Sequence, residues 1–188
     1  MKMQKLFDKY DLTEVTVNDK GLGRYINLDP ISIPHIGAKY ANRQFGKAKV
    51  SIVERLINGM MRTEHATGEK ARTYNIVKNA FSIIEKKTKN NPVQTLVNAL
   101  QNAAPREETT RLQYGGMSVP KAVDVAPLRR LDIALRNICV GAIKASHKNK
   151  KRMENCLADE IISASKGEPN SFSVSKRDEI ERVASSAR

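Results

Sequence analysis

The sequence has no tryptophan, and only 5% of its residues are aromatic. A hydrophobic core must therefore be mostly aliphatic, and 188 residues are enough to form one domain around such a core. The two cysteines, Cys139 and Cys156, stand in helical patterns without a CxxC context or neighbouring histidines. We interpret them as small core residues of a reducing cytoplasm rather than as a disulfide or a metal pair.

Long apolar runs are missing as well. No run approaches the ~18 residues that a membrane-spanning helix needs, and the first residues lack the apolar region of a signal peptide. We expect a cytoplasmic protein that is neither exported nor inserted into a membrane.

Acidic residues are absent between Asp132 and Glu154, although basic residues are dense there. The whole chain has 33 Lys and Arg against 20 Asp and Glu, which gives a formal net charge of +13. The cations of the acid-free stretch are Arg136, Lys144, Lys148, Lys150, Lys151 and Arg152. A run of charge is often a solvated face, but a run without carboxylates to pair with is typical of a surface that binds phosphate. The charge as a whole favours a polyanion as partner.

Groups that would carry catalysis or bind a metal are not assembled in the sequence. The histidines His35, His65 and His147 fall in different segments, and none has a second ligand at metal-binding spacing. Glu107 and Glu108 are adjacent on a predicted strand, so they point to opposite faces and do not form a catalytic carboxylate pair. No phosphate-binding loop or nucleophile elbow is present. The sequence therefore predicts a protein that is not an enzyme and has no cofactor and no metal.

Apolar residues recur at spacings of three and four along six segments, which is the pattern of amphipathic helices. Asn91 followed by Pro92 is typical of the start of the third helix. Ser175, three residues before Asp178, is typical of the start of the sixth. We predict a mainly α fold, a bundle of about six helices.

Residues 1–48 lack this periodicity and are interrupted by glycine and proline. We interpret them as an irregular N-terminal extension that lies on a partner surface more than it forms a core. The helical domain is then expected at residues 49–188.

The helical pattern stops between the third and fourth helices, at residues 106–125. Two alternating arms flank Gly115-Gly116, and only glycine adopts positive φ at both central positions of a tight hairpin turn without steric cost. We predict a protruding two-stranded β-ribbon. Polar side chains on the ribbon and at its root are Arg111, Gln113, Lys121, Arg129 and Arg130. A basic finger on a helical body suggests a nucleic-acid contact, and an ordinary surface hairpin with solvated charges explains the same pattern.

Ordered motifs in and around this ribbon are similar to those of a known family. In the ribbon and the next helix they are Pro105-Arg106-Glu107, Gly115-Gly116, Val119-Pro120, Val123-Asp124-Val125, Pro127 and Arg129-Arg130. In the other helices they are Val53-Glu54-Arg55-Leu56, Gly68-Glu69-Lys70, Asn91-Pro92, Cys156-Leu157-Ala158-Asp159-Glu160 and Lys176-Arg177-Asp178-Glu179. The chain thus resembles the universal small-subunit ribosomal protein seven family over about residues 40–188.

Two departures from the bacterial pattern place the resemblance in the archaeal and eukaryotic branch. One is the long front segment together with the end at Arg188, and the other is Gly68-Glu69-Lys70 in place of the bacterial Gly-Lys-Lys. A contact made by the first lysine of that bacterial signature is therefore not expected here.

The resemblance implies a structural protein of the small ribosomal subunit that binds ribosomal RNA and works in translation. It implies a primary binder that nucleates folding of the 3′ domain of the small-subunit rRNA, which forms the head. It also implies a ribbon near the exit-site tRNA and the mRNA path, contact with the platform protein numbered eleven, and one copy of the chain in the ribosome.

Resemblance and charge together suggest which side chains bind rRNA. They are Lys47, Lys49, Lys70, Arg72, Arg111, Gln113, Lys121, Arg129, Arg130, Arg136, Lys144, Lys148, Lys150, Lys151, Arg152, Lys176 and Arg177. Lys86, Lys87, Lys89, Arg182 and Arg188 are expected to be solvated instead. The major groove of A-form RNA is too deep and narrow for side chains, so recognition should depend on phosphates, 2′-hydroxyls and junction shape. We expect the surplus cations to be unpaired in the isolated molecule, because RNA is their partner.

Two other functions stay open at this point. A free-standing helical regulator of DNA or RNA would have the same charge, but the helices show no alignment of Arg, Asn and Gln that would read a groove. A helical enzyme with an acidic substrate is supported by net charge alone.

Overall fold

The computed structural model describes residues 5–62 and 66–188, and within them the chain is mainly helical. The α-helices are α1 (Lys20–Gly23), α2 (Ile52–Met60), α3 (Lys70–Thr88), α4 (Pro92–Ala103), α5 (Pro127–Ser146), α6 (Met153–Ser165) and α7 (Phe172–Ser186). A 3-10 helix spans Gly46–Lys49, and two strands, β1 (Glu107–Tyr114) and β2 (Met117–Asp124), lie between α4 and α5. Within this described part of the chain the predicted fold class is confirmed: six longer helices and one ribbon, to which the structure adds the one-turn α1.

The hydrophobic core is shared by the long helices. α6 packs against α3, α4 and α5, and its residues Leu157, Ala158, Ile161 and Ala164 are buried in that core. Cys139 and Cys156 are buried and free, which confirms their interpretation as core residues. Burial raises the pKa of the Cys139 thiol to about 12, so this thiol is neutral and inert.

The N-terminal segment also belongs to this core, although it has little regular structure. Phe7 makes edge-to-face contacts with Tyr74 and Phe81 of α3, with ring centroids 5.2 and 5.9 Å apart. Other buried residues of the segment are Leu6, Tyr10, Leu12, Val15, Leu22 and Ile26. The described residues 5–48 are irregular, as predicted, but they contribute to the core, where we expected them to lie on a partner surface more than to form a core. Their apolar side chains follow no helical or strand period, so the pattern gave no sign that they are buried.

α4 begins where the sequence predicts. Pro92 is its first residue, and the Asn91 side chain accepts a hydrogen bond from the Val93 N–H at 3.0 Å. Gly167, with φ +71°, follows the end of α6.

α7 begins at Phe172, so the predicted start at Ser175 was wrong. Ser171 caps the helix, and Glu160 of α6 reaches across to its first turn. Oε1 of Glu160 accepts hydrogen bonds from the Ser171 hydroxyl at 2.8 Å and the Ser173 N–H at 2.9 Å. A carboxylate suits the positive end of a helix, and this one comes from another helix, which local sequence cannot reveal.

The β-ribbon pairs antiparallel in one register, with Tyr114 opposite Met117 next to the turn. Gly115 and Gly116 both have positive φ, +55° and +87°, as the turn prediction required. The base of the ribbon rests on α7, where the Ala122 N–H donates to the Ala187 carbonyl at 3.3 Å.

Candidate nucleic-acid interface

The ribbon presents its polar side chains on both faces. Arg111 is opposite Pro120 and Gln113 is opposite Ser118, whereas Lys121 is opposite Thr110. Directly opposed residues share a face, so Arg111 and Gln113 lie on one face and Lys121 lies on the other. All three are exposed, and their side chains form no ion pair or hydrogen bond within residues 5–62 and 66–188.

Arg129 and Arg130 at the root of the ribbon point to different environments. Arg129 has 62% of its side chain exposed and pairs with Glu108 at 2.7 Å, and this hydrogen bond raises the pKa of its guanidinium. Arg130 has only 12% exposed, pairs with Asp19 at 3.0 Å and donates to the Pro105 carbonyl at 3.1 Å. Arg130 therefore ties the N-terminal segment to α5 and is poorly placed to bind RNA.

Asp19 is the acid that holds Arg130. Burial alone would raise the pKa of its carboxyl, but the Gly21 N–H and the Arg130 guanidinium outweigh that effect. The pKa of Asp19 is therefore below its ordinary value, and the pair is charged at neutral pH.

The acid-free stretch forms an exposed group on α5 and on the loop before α6. We name it the α5–α6 cation cluster: Arg136, Lys144, Lys148, Lys150, Lys151 and Arg152, all exposed. Lys151 pairs with Asp159 at 3.6 Å. The other five make no ion pair with any carboxylate of the described residues. This is the arrangement that the lack of acids predicted.

An aromatic ring connects the cation cluster to α7. Nζ of Lys144 lies 4.5 Å from the centroid of the Phe172 ring, and Nζ of Lys176 lies 6.0 Å from it. The Phe172 ring thus brings together Lys144 and Lys176, two predicted rRNA-binding lysines that are distant in sequence. Lys176 also pairs with Glu179, one helical turn away.

Arg177 of α7 has a structural role. It pairs with its neighbour Asp178, and it donates a hydrogen bond to the carbonyl of Asn102 at the end of α4. Lys176 and Arg177 lie within α7 and do not open it, because the helix begins at Phe172.

The start of α3 is also paired within the protein. Lys70 Nζ lies 2.7 Å from Oε1 of Glu54, whose side chain is only 3% exposed. Arg72 pairs with Glu69, one turn before it, in an exposed contact of 2.8 Å. Lys70 therefore neutralises a buried carboxylate, while Arg72 can exchange its exposed partner for a phosphate at little cost.

Two adjoining pockets lie beside α2. The α2–α5 pocket has a volume of about 420 Å³, and its cationic lining residues are Lys47, Arg55, Arg62 and Arg136. The loop pocket has a volume of about 440 Å³ and lies between residues 36–47 and α2. Lys47, Val50 and Asn58 line both pockets.

Asp132 is the acid of the α2–α5 pocket. It accepts from the buried guanidinium of Arg55 at 2.6 Å, and its other oxygen pairs with Lys47. Burial lowers the pKa of Arg55, and Asp132 opposes that shift.

Lys49 is near the ring of Tyr40, with Nζ 6.0 Å from the centroid.

Carboxylates partner eight of the predicted cations: Lys47, Lys70, Arg72, Arg129, Arg130, Lys151, Lys176 and Arg177. The expectation that the surplus cations are unpaired was wrong for these eight. The acid of Arg177 is the next residue, Asp178, and the other acids lie one helical turn away or on a neighbouring element. A net charge summed along the chain does not show which cations these acids pair with. The other eight, Lys49, Arg111, Lys121, Arg136, Lys144, Lys148, Lys150 and Arg152, have no carboxylate partner among the described residues. Exposed pairs contribute little to stability, so they do not prevent phosphate binding.

Sequence reasoning missed two residues at the pockets. Arg62 follows α2 and lines the α2–α5 pocket, and Phe45 lines the loop pocket with its ring exposed. A second acid-free stretch, between Asp29 and Glu54, was the signal that could have pointed to the loop pocket.

The described residues contain no cluster of three or more His, Cys, Asp or Glu side chains that could hold a metal ion. His65, one of the three histidines, lies outside them. Across residues 5–62 and 66–188, helices with the length and hydropathy for crossing a bilayer are not found.

Comparison with known proteins extends the motif resemblance to nearly the whole chain. The family described as ribosomal protein S7p/S5e matches residues 22–188. The small ribosomal subunit protein uS7 of Picrophilus torridus is 55% identical over 183 residues, 97% of this chain and 98% of the relative. That of Methanococcus aeolicus is 56% identical over 185 residues, 98% of each chain. That of Archaeoglobus fulgidus is 57% identical over 183 residues, 97% of this chain and 94% of the relative. The chain therefore belongs to the ribosomal protein S7p/S5e family, a family of structural, non-enzymatic proteins.

Proposed function

We propose that this chain is a structural component of the small ribosomal subunit in the cytoplasm and that it binds ribosomal RNA. One observation carries the RNA contact: the α5–α6 cation cluster is exposed, and five of its six members have no carboxylate partner among the described residues. Phosphates that bind there would release counterions from the RNA, which favours binding. Membership of a ribosomal protein family makes rRNA the polyanion of choice.

The finer proposal is a primary binder of the 3′ domain of small-subunit rRNA, which nucleates folding of the head. Free cations lie on several separate elements: on the ribbon, in the α5–α6 cation cluster and, as Arg62, beside α2. A rigid helical body with cations on several elements can hold more than one RNA helix in a fixed arrangement. That is the task of a protein that orders a junction by its shape.

The proposed rRNA contacts follow the partners of each side chain. The strongest members are Arg111, Lys121, Arg136, Lys144, Lys148, Lys150 and Arg152. Residues with exposed pairs join them as secondary contacts: Lys47, Arg72, Arg129, Lys151 and Lys176. Gln113, which shares a ribbon face with Arg111, and Lys49, which lies in the same 3-10 helix as Lys47, are proposed as further polar contacts. Most of the contacts thus fall in residues 49–188, the proposed RNA-binding domain.

The ribbon is proposed to lie near the exit-site tRNA and the mRNA path. It protrudes from α7 with exposed residues along most of β2, which leaves it available for contacts outside the body. The platform protein numbered eleven is proposed as a neighbour, with one copy of this chain per subunit.

The test measures binding of the purified protein to a transcript of the small-subunit rRNA 3′ domain from Archaeoglobus fulgidus. The dissociation constant is measured by filter binding between 50 and 300 mM KCl, and a 5′-domain transcript of the same rRNA serves as control. We expect preference for the 3′ domain and a steep fall of affinity with salt, because several neutralised phosphates must release counterions. Equal binding to both transcripts, or a log–log slope near zero, would contradict the proposal.

Assembly provides an independent readout of nucleation. Chemical probing of the 3′-domain transcript should show protections at its helical junction that need this protein and that precede binding of other head proteins. Co-sedimentation with small subunits in a salt-containing gradient tests incorporation directly.

A further inference from the structure

The loop pocket contains an exposed aromatic ring that takes no part in the rRNA contacts proposed above. Phe45 lines that pocket, and 61% of the residue is exposed. Its backbone has φ +56°, a conformation that bulky L residues rarely adopt. The ring contributes nothing to the hydrophobic core, and strained residues with exposed apolar side chains are concentrated at binding sites.

The loop holds Phe45 in this conformation. A Cβ added at Gly46 would lie 2.3 Å from the carbonyl oxygen of Tyr40, so the chain passes too close there for any other residue. The Gly46 N–H donates to the Arg43 carbonyl at 2.9 Å, and the Ala48 N–H donates to the Phe45 carbonyl at 3.0 Å. The ring is thus presented by a fixed backbone.

Three cations line the loop pocket together with the Phe45 ring. Residues 30–53 contain no Asp or Glu, and Lys39, Arg43 and Lys47 line the same pocket as Phe45. Lys39 also lies near a second ring, with Nζ 5.8 Å from the centroid of Tyr40. Aromatic rings among cations are the combination that binds single-stranded nucleic acid: the rings stack on bases and the cations contact phosphates.

The inner wall of the loop pocket holds an unused hydrogen-bond acceptor. Oε1 of the buried Glu54 accepts from Lys70 Nζ at 2.7 Å and from the Ile36 N–H at 3.0 Å. Oε2 is buried and accepts no hydrogen bond within the described residues. Buried polar atoms are nearly always paired, so this oxygen is a free acceptor for an N–H donor that enters the pocket. The pairing edge of a nucleobase carries such donors.

We propose that the loop pocket receives one unpaired nucleobase of the bound RNA, stacked on Phe45 with its pairing edge toward Glu54. Lys39, Arg43 and Lys47 then contact the phosphates on either side. The pocket volume of about 440 Å³ is in the range of small-ligand sites. The inference rests on the proposed function, because it names one single-stranded contact within the RNA that the chain is proposed to bind. Stacking accepts any base, so the contact adds affinity rather than a sequence code.

A fluorescence experiment tests the stack directly. The chain has no tryptophan, so Phe45→Trp creates a single reporter in the loop pocket. We expect its emission to be quenched when the 3′-domain transcript binds, because the indole stacks on a base. Val183→Trp places the reporter at an exposed position of α7 and serves as control, with unchanged emission expected. Unchanged emission at position 45, or equal quenching at both positions, would overturn the inference.

Affinity measurements separate stacking from simple apolar contact. Phe45→Tyr keeps the ring and should bind the transcript like the wild type. Phe45→Leu keeps an apolar side chain without the π face and should bind about tenfold more weakly, the loss expected for one base–aromatic stack. The salt slope should stay the same, because no phosphate contact is removed. Ile33→Ala, at another exposed apolar residue of the segment, is the control and should keep full affinity.

The outcomes distinguish the two proposals. If the wild type fails to bind the transcript, the proposed function fails. If the wild type binds and Phe45→Leu binds equally well, only the base pocket is refuted. If Phe45→Leu keeps RNA affinity but loses association with other small-subunit proteins, the loop pocket is a protein-docking site and the inference is wrong. Equal urea midpoints for all variants show that folding is not the cause.

Discussion

At the residue scale, identical side chains next to each other perform different tasks. Arg129 and Arg130 are adjacent in the first turn of α5, yet the first is exposed beside Glu108 and the second is largely buried against Asp19 and the Pro105 carbonyl. An exposed ion pair stabilises a fold by little, whereas breaking a buried one leaves a charge without a partner.

Arg130→Gln should lower the free energy of unfolding by about 1–3 kcal/mol, because the carboxylate of Asp19 and the Pro105 carbonyl lose their charged donor. Arg129→Gln should lower it by less than about 1 kcal/mol. Urea unfolding followed by circular dichroism measures both. The double variant Arg130→Gln with Asp19→Asn should be less destabilised than the sum of the single changes. Equal midpoints for the two single arginine variants would contradict this division of roles.

A packing contact, rather than a special backbone conformation, explains why position 59 of α2 is a glycine. A Cβ at this position would lie 2.9 Å from Sγ of the buried Cys139. Gly59→Ala should therefore destabilise the protein by about 1–3 kcal/mol, although alanine favours helix by about 1 kcal/mol. In a Cys139→Ala background the same change should be neutral or stabilising. Thermal or urea unfolding of the four proteins gives the coupling, and independent effects at the two sites would refute the contact.

Residue identity alone could not assign these roles. The sequence identifies how many cations exist and where acids are absent, so the α5–α6 cation cluster was predicted as an unpaired group. It does not reveal a partner far along the chain, as Glu54 is for Lys70 or Asp19 for Arg130. Phe45 was missed for a related reason, since composition cannot tell an exposed ring from a buried one.

At the scale of elements, local signals were sufficient where the cause is local. The ribbon and its turn could be predicted because Gly115-Gly116 determines a two-residue turn by itself. The start of α7 could not, because Glu160 on α6 supports it from another element. The burial of Phe7 against α3 is likewise a tertiary contact without periodicity.

The ribbon should be separable from the stability of the helical body. Deleting residues 111–114 and 117–120 joins Thr110 through Gly115-Gly116 to Lys121, which are already opposite each other. Because an even number of residues is removed from each arm, every remaining side chain keeps its face of the ribbon. The pair next to the turn also keeps its hydrogen-bonding type. Because the removed residues of β2 are exposed, the unfolding free energy should change by less than about 0.5 kcal/mol. Affinity for the 3′-domain transcript should fall.

Arg111→Gln in the full-length ribbon is the control for that experiment, because it removes charge and keeps shape. A smaller loss of affinity for Arg111→Gln than for the shortened ribbon is expected if the ribbon also contributes surface. A large drop in the unfolding midpoint of the shortened protein would instead mean that the ribbon belongs to the cooperative core.

At the scale of the whole molecule, the net charge of +13 divides into cations that hold the fold together and cations that remain available. Arg55, Lys70 and Arg130 join α2, α3, α5 and the N-terminal segment through carboxylates. The five unpaired members of the α5–α6 cation cluster hold nothing together within the described residues. Total charge therefore predicts a polyanion partner, but only the unpaired side chains locate the surface that binds it.

This division predicts different salt dependences for charge changes of equal size. The double variant Lys148→Gln with Lys150→Gln should weaken binding to the 3′-domain transcript and reduce the log–log salt slope by about 2, one for each lost phosphate contact. The matched double variant Lys89→Gln with Arg182→Gln removes the same charge from exposed positions that the sequence predicted to be solvated, and its slope should stay that of the wild type. Both proteins should unfold at the wild-type urea concentration, because none of the four side chains has an ion pair within the described chain. An equal change of slope in both variants would mean that RNA senses only the total charge, and the α5–α6 cation cluster would not be a localised binding surface.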